Sequence, residues 1–178
     1  MDIKDIKIKN FKLGGTFTIP TDGSSPKQSD WATGSVIYAK TFTVVDNADD
    51  SPISVMGSNT AATDISSKKP LLFVPQELKE WNVNVSHNTT QADTNGESYL
   101  IINCKIKQKN DYLHGSATKY ETLYVPFGAN WLPGKRYIYT LIFGGGYNAQ
   151  GQAILQPINF DAEVGEWGNE DAKINVNK

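Results

Sequence analysis

Two glycine-bearing stretches are the first residues in this chain whose types suggest chemistry. Pro133-Gly134-Lys135 carries a glycine-lysine pair, and Gly144, Gly146 and Ala149 match the letters G-x-G-x-x-A. A phosphate loop needs Gly-Lys followed by Ser or Thr, after a strand and before a helix. Only then do backbone N–H groups and a helix N-terminus meet the phosphates. Here Arg136 follows the lysine, and the strand-like residues come after the turn. A dinucleotide site also needs a helix after its glycines, whereas "GQAILQPINF" reads as a turn and a strand. No nucleotide or other cofactor is expected.

His87 and His114 are the two histidines. Catalytic zinc wants three protein ligands, and two isolated histidines do not supply them. A serine triad lacks its G-x-S-x-G elbow. Carboxylates are scattered: Asp49, Asp50, Glu77, Glu80, Asp161, Glu163 and Glu166. Asp161 and Glu163 share a strand face at about 6.6 Å, a spacing that a glycosidase pair could use. Any wet strand with alternating acids has the same property. "DNADD" (46–50) offers oxygen atoms to calcium but lacks the Gly and terminal Glu of an EF-hand. Cys104 is the single cysteine, so no internal disulfide or thiolate cluster can form. It lies in phase with Leu100, Ile102 and Ile106 and reads as a small buried hydrophobe. Catalytic and metal sites are therefore expected to be absent, and the protein is read as not an enzyme.

Four tryptophans remain, Trp31, Trp81, Trp131 and Trp167, with eight tyrosines. They either pack the rim of a β core or offer stacking platforms for sugars. Trp31 and Trp131 are the candidates for glycan stacking. "NVS" (84–86) and "NTT" (88–90) match the N-glycosylation pattern, which matters only in a eukaryotic secretory protein.

The elements that would position these residues are strands. Apolar and polar residues alternate in "WNVNVSH" (Trp81, Val83, Val85), "YLIINCKIK" (Leu100, Ile102, Cys104, Ile106) and "KRYIYTLIF" (Tyr137, Tyr139, Leu141, Phe143). They alternate again in "PINFDAEVGEW" (Ile158, Phe160, Ala162, Val164) and from Val36 through Tyr38 and Phe42 to Val44. Period two is the signature of half-buried strands. Ile138 and Ile142 on the second face of "KRYIYTLIF" suggest a central strand or one covered on both sides. Ile6 and Ile8 share a phase that Phe11 and Leu13 do not, which predicts a bulge or strand switch near Lys9-Asn10. "PTDGSSP", "DNADDSP", "TNG" and "LPGK" punctuate the runs as turns. Pro75 to Trp81 is the best helical candidate, as a short turn. Ile53 to Met56 reads as a short edge strand. The fold class is all-β, a sandwich of about seven strands.

Composition agrees. The chain has 178 residues, enough for one domain with its own core. A net charge of −2 gives no basic field of the kind nucleic-acid binders carry. No apolar run is long enough to span a membrane. The N-terminus "MDIKDIKIKNF" lacks the apolar stretch of a secretory signal.

Three stretches together resemble one family. "KPLLFVPQEL" (69–78) is similar to the apolar strand ending in Pro-Gln of Bacteroidetes fimbrillin-like proteins. "NWLPGKRYIYTLIFG" (130–144) resembles their Trp-x-Pro-Gly-Lys-x-Tyr-x-Tyr-x-Leu segment. "ILQPINFDAEVGEW" (154–167) resembles their last strand, and the order matches. The resemblance covers about residues 70 to 167 and only the family's C-terminal domain. It implies a transthyretin-like, Greek-key β-sandwich of a type V pilus subunit or adhesin. The expected location is the outer membrane surface or an extracellular fimbria. A lipid anchor would belong to a part preceding this chain, since Cys104 lies mid-strand. It also implies assembly by β-strand complementation, with neighbouring subunits, a receptor or a glycan as partners. Residues 1–171 would form a single sandwich domain. The segment 172–178 would be a tail or a donor strand presenting Ile174 and Val176. A surface carbohydrate-binding module is the alternative.

Overall fold

The computed structural model describes residues 1–33, 41–47, 51–56, 61–66, 70–142, 146–155 and 159–166. Its strands in chain order are β1 (Asp2–Lys9), β2 (Thr16–Phe17), β3 (Trp31–Ala32), β4 (Phe42–Asp46), β5 (Ile53–Ser54) and β6 (Gln76–Leu78). A helix α1 (Thr89–Thr94) follows. Then come β7 (Tyr99–Gln108), β8 (Asp111–His114), β9 (Glu121–Pro126), β10 (Ala129–Trp131) and β11 (Lys135–Ile142). The last are β12 (Gly146–Tyr147), β13 (Ala153–Leu155) and β14 (Asn159–Glu166). The fold is all-β and sandwich-like. More strand segments form than the seven expected, because several are ribbons of two or three residues.

One antiparallel sheet dominates. Its order is β13-β12-β9-β7-β1-β4, with β5 also on β1 and β8 also on β7. The ten-residue β7 is its axis. Leu100, Ile102 and Cys104 point to one face and are buried, as alternation requires. Ile3, Ile6 and Ile8 of β1 and Leu123 and Val125 of β9 join them.

The opposite layer is built from ribbons. Antiparallel pairs β6–β10, β11–β14 and β2–β3 each form a separate two-stranded sheet among the described residues. Leu78 and Trp131 are buried in the same core cluster, and Tyr137, Tyr139 and Leu141 of β11 pack against it. The β11–β14 ladder runs from Lys135↔Glu166 to Ile142↔Asn159 without a slip.

The expected phase change in the N-terminal strand occurs. Asn10 takes a left-handed φ of 59°, which drives Phe11 into the core at 1 % exposure. A second shift lies between Ile3 and Asp5 against β7. Leu13, expected on the inner face with Phe11, is instead 43 % exposed.

Three other expectations are corrected. "WNVNVSH" is not a strand. Asn82 accepts a bond from the Asn84 backbone N–H through its side chain, and its carbonyl accepts from Val85 and Ser86. These local bonds turn the chain before a ladder can form. Pro75 to Trp81 is not helical but contains β6. The Gln76 amide bonds both the N–H and the C=O of Lys12 (2.7 and 2.8 Å), in the manner of a strand partner. Ile138 is 44 % exposed, so β11 is not covered on both faces, and among the described residues it pairs with β14 alone and is not a central strand. β5 forms where an edge strand was expected, pairing Ile53 with Ile3. Val36 and Tyr38 lie outside the described residues.

Candidate functional site

The glycine stretches serve the backbone. Gly134 has φ +66° in the turn between β10 and β11, a conformation that glycine adopts without strain. Gly146 begins β12, which pairs with both β9 and β13. The chain therefore leaves the β11–β14 ribbon and enters the large sheet at this glycine.

Of the two glycan-stacking candidates, Trp131 is in the core. It is 7 % exposed, and its ring is stacked on Phe73 at 4.8 Å. Nε1 donates to the Tyr139 hydroxyl at 2.7 Å. No face of that ring is open to a sugar. Trp31 is half-buried, with its ring 4.8 Å from Phe17 in the β2–β3 ribbon. The donor-strand candidates Ile174 and Val176 lie outside the described residues, as do Trp167, Asp49 and Asp50.

The titratable candidates are dispersed. His114, which reads from the sequence as lying in the loop-like "DYLHGS", instead closes β8, opposite Ile106 of β7. It is 5 % exposed. His87 lies exposed just before α1. Asp161 and Glu163 pair through their backbones with Thr140 and Ile138. Among the described residues no three of His, Cys, Asp and Glu are placed to hold a metal ion.

Cys104 is fully buried. Burial pushes its thiol up to about 12, against a small opposing effect of the N-terminal ammonium. The thiolate is the reactive form. We expect no labelling by iodoacetamide in the native protein at mildly alkaline pH and complete labelling in concentrated urea. Rapid native labelling, followed by mass spectrometry, would contradict this packing.

A polar node that the alternation did not reveal lies under α1. Asn88 caps the helix, its side chain accepting from the Gln91 N–H at 2.9 Å, and Gly96 follows its end with φ 63°. Those two cap signals were legible in "NTTQADTNG". The helix delivers Asp93. Its Oδ1 accepts from Asn10 Nδ2 and from the Tyr99 hydroxyl, each at 2.8 Å. Its Oδ2 meets the Lys9 ammonium. Trp81, Ala92 and Tyr99 form a small second core beside this node.

Glu97 is buried in the same region at 1 % exposure. Burial alone would raise its pKa. Bonds from Ser86, Lys79 (3.0 Å) and the Asn82 N–H outweigh this and hold it below the ordinary glutamate value. A depressed folded pKa gives stability that is fully present above the unfolded value near 4.5. That stability is lost as pH falls through the lower folded value. Thermal melts of wild type and Glu97→Gln should therefore differ most near neutral pH and converge at acid pH. A gap that stays constant with pH would remove Glu97 from the acid response.

Backbone edges are the other open feature. Among the described residues β4 and β13 end the main path of the large sheet, and the ribbons of the second layer present edges of their own. Residues 70–74, expected as an apolar strand, join no ladder among the described residues, and Leu72 there is 81 % exposed. Comparison with family models, with curated proteins and with solved structures gives no match.

Proposed function

We propose that this chain is a non-enzymatic structural or adhesive domain of a fimbrillin-like cell-surface protein. In this reading it belongs to a pilus subunit or adhesin at the outer membrane or in an extracellular fimbria. It assembles with neighbouring subunits by β-strand complementation. One observation carries the reading: among the described residues the second layer is made of separate ribbons, so strand edges border the core that the large sheet needs covered. Unpaired backbone beside apolar surface is costly and favours an added strand. An incoming strand gains main-chain hydrogen bonds and places alternate side chains in pockets.

The experiment compares the full chain with one lacking residues 172–178, by sedimentation and electron microscopy across a concentration series. End-to-end oligomers are expected from the full chain and monomers from the deletion. Identical behaviour of the two would remove the tail, with Ile174 and Val176, from the mechanism. The alternative, a surface carbohydrate-binding module, retains Trp31, whose half-buried ring lies on Phe17. Binding on a glycan array, abolished by Trp31→Ala, would favour it over the assembly reading.

A further inference from the structure

We propose that Lys9 and Asp93 join through their side chains as an amide, an intramolecular isopeptide bond made by the folded chain itself. An amide-forming site requires an amine held on a carboxyl carbon, and donors on the oxygen that becomes the oxyanion. Lys9 Nζ pairs with Asp93 Oδ2, leaving the two side chains 20 % and 32 % exposed. The other oxygen, Oδ1, takes two hydrogen bonds, from Asn10 Nδ2 and the Tyr99 hydroxyl, each at 2.8 Å.

Both donors are fixed. Asn10 is 2 % exposed, and the same Nδ2 also donates to the Glu97 carbonyl at 2.7 Å. Its backbone holds the left-handed φ of 59°, a conformation uncommon outside glycine. Tyr99 is 1 % exposed. Burial first, and then its bond to Asp93, raise the phenol far above its ordinary value, so it stays a protonated donor. The rings of Trp81 and Tyr124 flank Tyr99 at 5.5 and 6.0 Å.

The step balances without any added reagent. Lys9 Nζ passes one proton to Asp93 Oδ2, giving a neutral amine and a carboxylic acid. The nitrogen lone pair attacks Cγ and forms the C–N bond. Negative charge develops on Oδ1, where Asn10 and Tyr99 donate. A second proton moves from nitrogen to Oδ2, the Cγ–Oδ2 bond breaks, and water leaves. Nothing is oxidised or reduced, and the two opposite charges disappear together. The product ties the end of β1 to the last turn of α1. β1 lies between β7 and β4, so the bond would keep a central strand from being pulled out.

Intact-mass spectrometry of the full chain tests this directly. The folded protein should weigh one water less than its sequence. Trypsin should release residues 8–12 covalently linked to residues 80–105, uncut after Lys9. Lys9→Met and Asp93→Ala should each show the full sequence mass. Asp93→Asn should lose ammonia instead of water. Tyr99→Phe should slow bond formation on the order of a hundredfold, the usual cost of one oxyanion donor. A wild-type chain that keeps its full mass after prolonged incubation overturns the proposal, and the contact is then an ion pair only. A water deficit that persists in Lys9→Met overturns it too.

Discussion

Trp131→Ala is expected to cost about 3–5 kcal/mol of folding stability, the range for removing a large buried aromatic. That is a large share of the roughly 5–15 kcal/mol that holds a domain together. The reason is position. Trp131 ends β10, which pairs with β6 from Ala129↔Leu78 to Trp131↔Gln76. Its ring stacks on Phe73 with planes 12° apart and meets Phe11 edge-on at 6.3 Å. Nε1 donates to Tyr139 of β11. One side chain therefore joins the β6–β10 ribbon, β11 and the start of the chain. Truncation leaves a cavity and an unpaired Tyr139 hydroxyl. Trp131→Phe keeps part of the packing and should cost less. Urea melts followed by circular dichroism would check both. A change for the alanine variant within about 0.5 kcal/mol, typical of a surface site, would contradict the wedge role.

Gly146→Ala is expected to cost about 1–3 kcal/mol, the range for overpacking a closed core. A Cβ at this position would stand 2.4 Å from both Cγ and Cδ1 of Leu123. Leu123 is fully buried and pairs with Ile102 of β7, so it cannot swing into solvent. Either the leucine or β12 must move, and β12 holds β13 to the sheet. The double variant Gly146→Ala, Leu123→Ala provides the check. Leu123→Ala alone opens a cavity, and the added methyl should then be tolerated. The cost of the double variant should fall short of the sum of the two single costs by more than the few tenths of a kcal/mol seen for independent sites. Strict additivity in denaturant melts would show that the two residues do not collide.

These two positions show what was and was not legible. Gly146 reads from the sequence as part of a turn or a cofactor loop. Its actual constraint is a side chain more than twenty positions earlier, which no local pattern reveals. Trp131 reads first as a rim residue and second as a sugar platform, because composition does not say which neighbours cover a ring. By contrast β7 is written openly in "YLIINCKIK", since alternation over ten residues leaves little choice of face. The strands β11 and β14 are legible for the same reason, whereas their pairing with each other is not written in either run.

The failures have a common cause. "WNVNVSH" alternates as a strand does, yet Asn82 captures the next backbone groups and turns the chain. Trp81 is nevertheless buried, its Nε1 donating to the Ser86 carbonyl at 2.8 Å within that turn. "PQELKEW" has residues that suit a helix, yet Gln76 pairs with Lys12, some sixty residues away. In each case a side-chain amide satisfied a backbone group and overrode the local propensity.

The sequence by itself determined the all-β class, the long strands, the turn at Pro133-Gly134 and the buried state of Cys104. Those follow from period and from backbone restrictions, which act over a few residues. Only the tertiary structure decided the ribbon layer, the burial of Trp131 and the meeting of Lys9, Asn10, Asp93 and Tyr99. Such meetings depend on which distant segments share a face. That is set by burying the whole apolar surface at once, not by any one stretch of the chain.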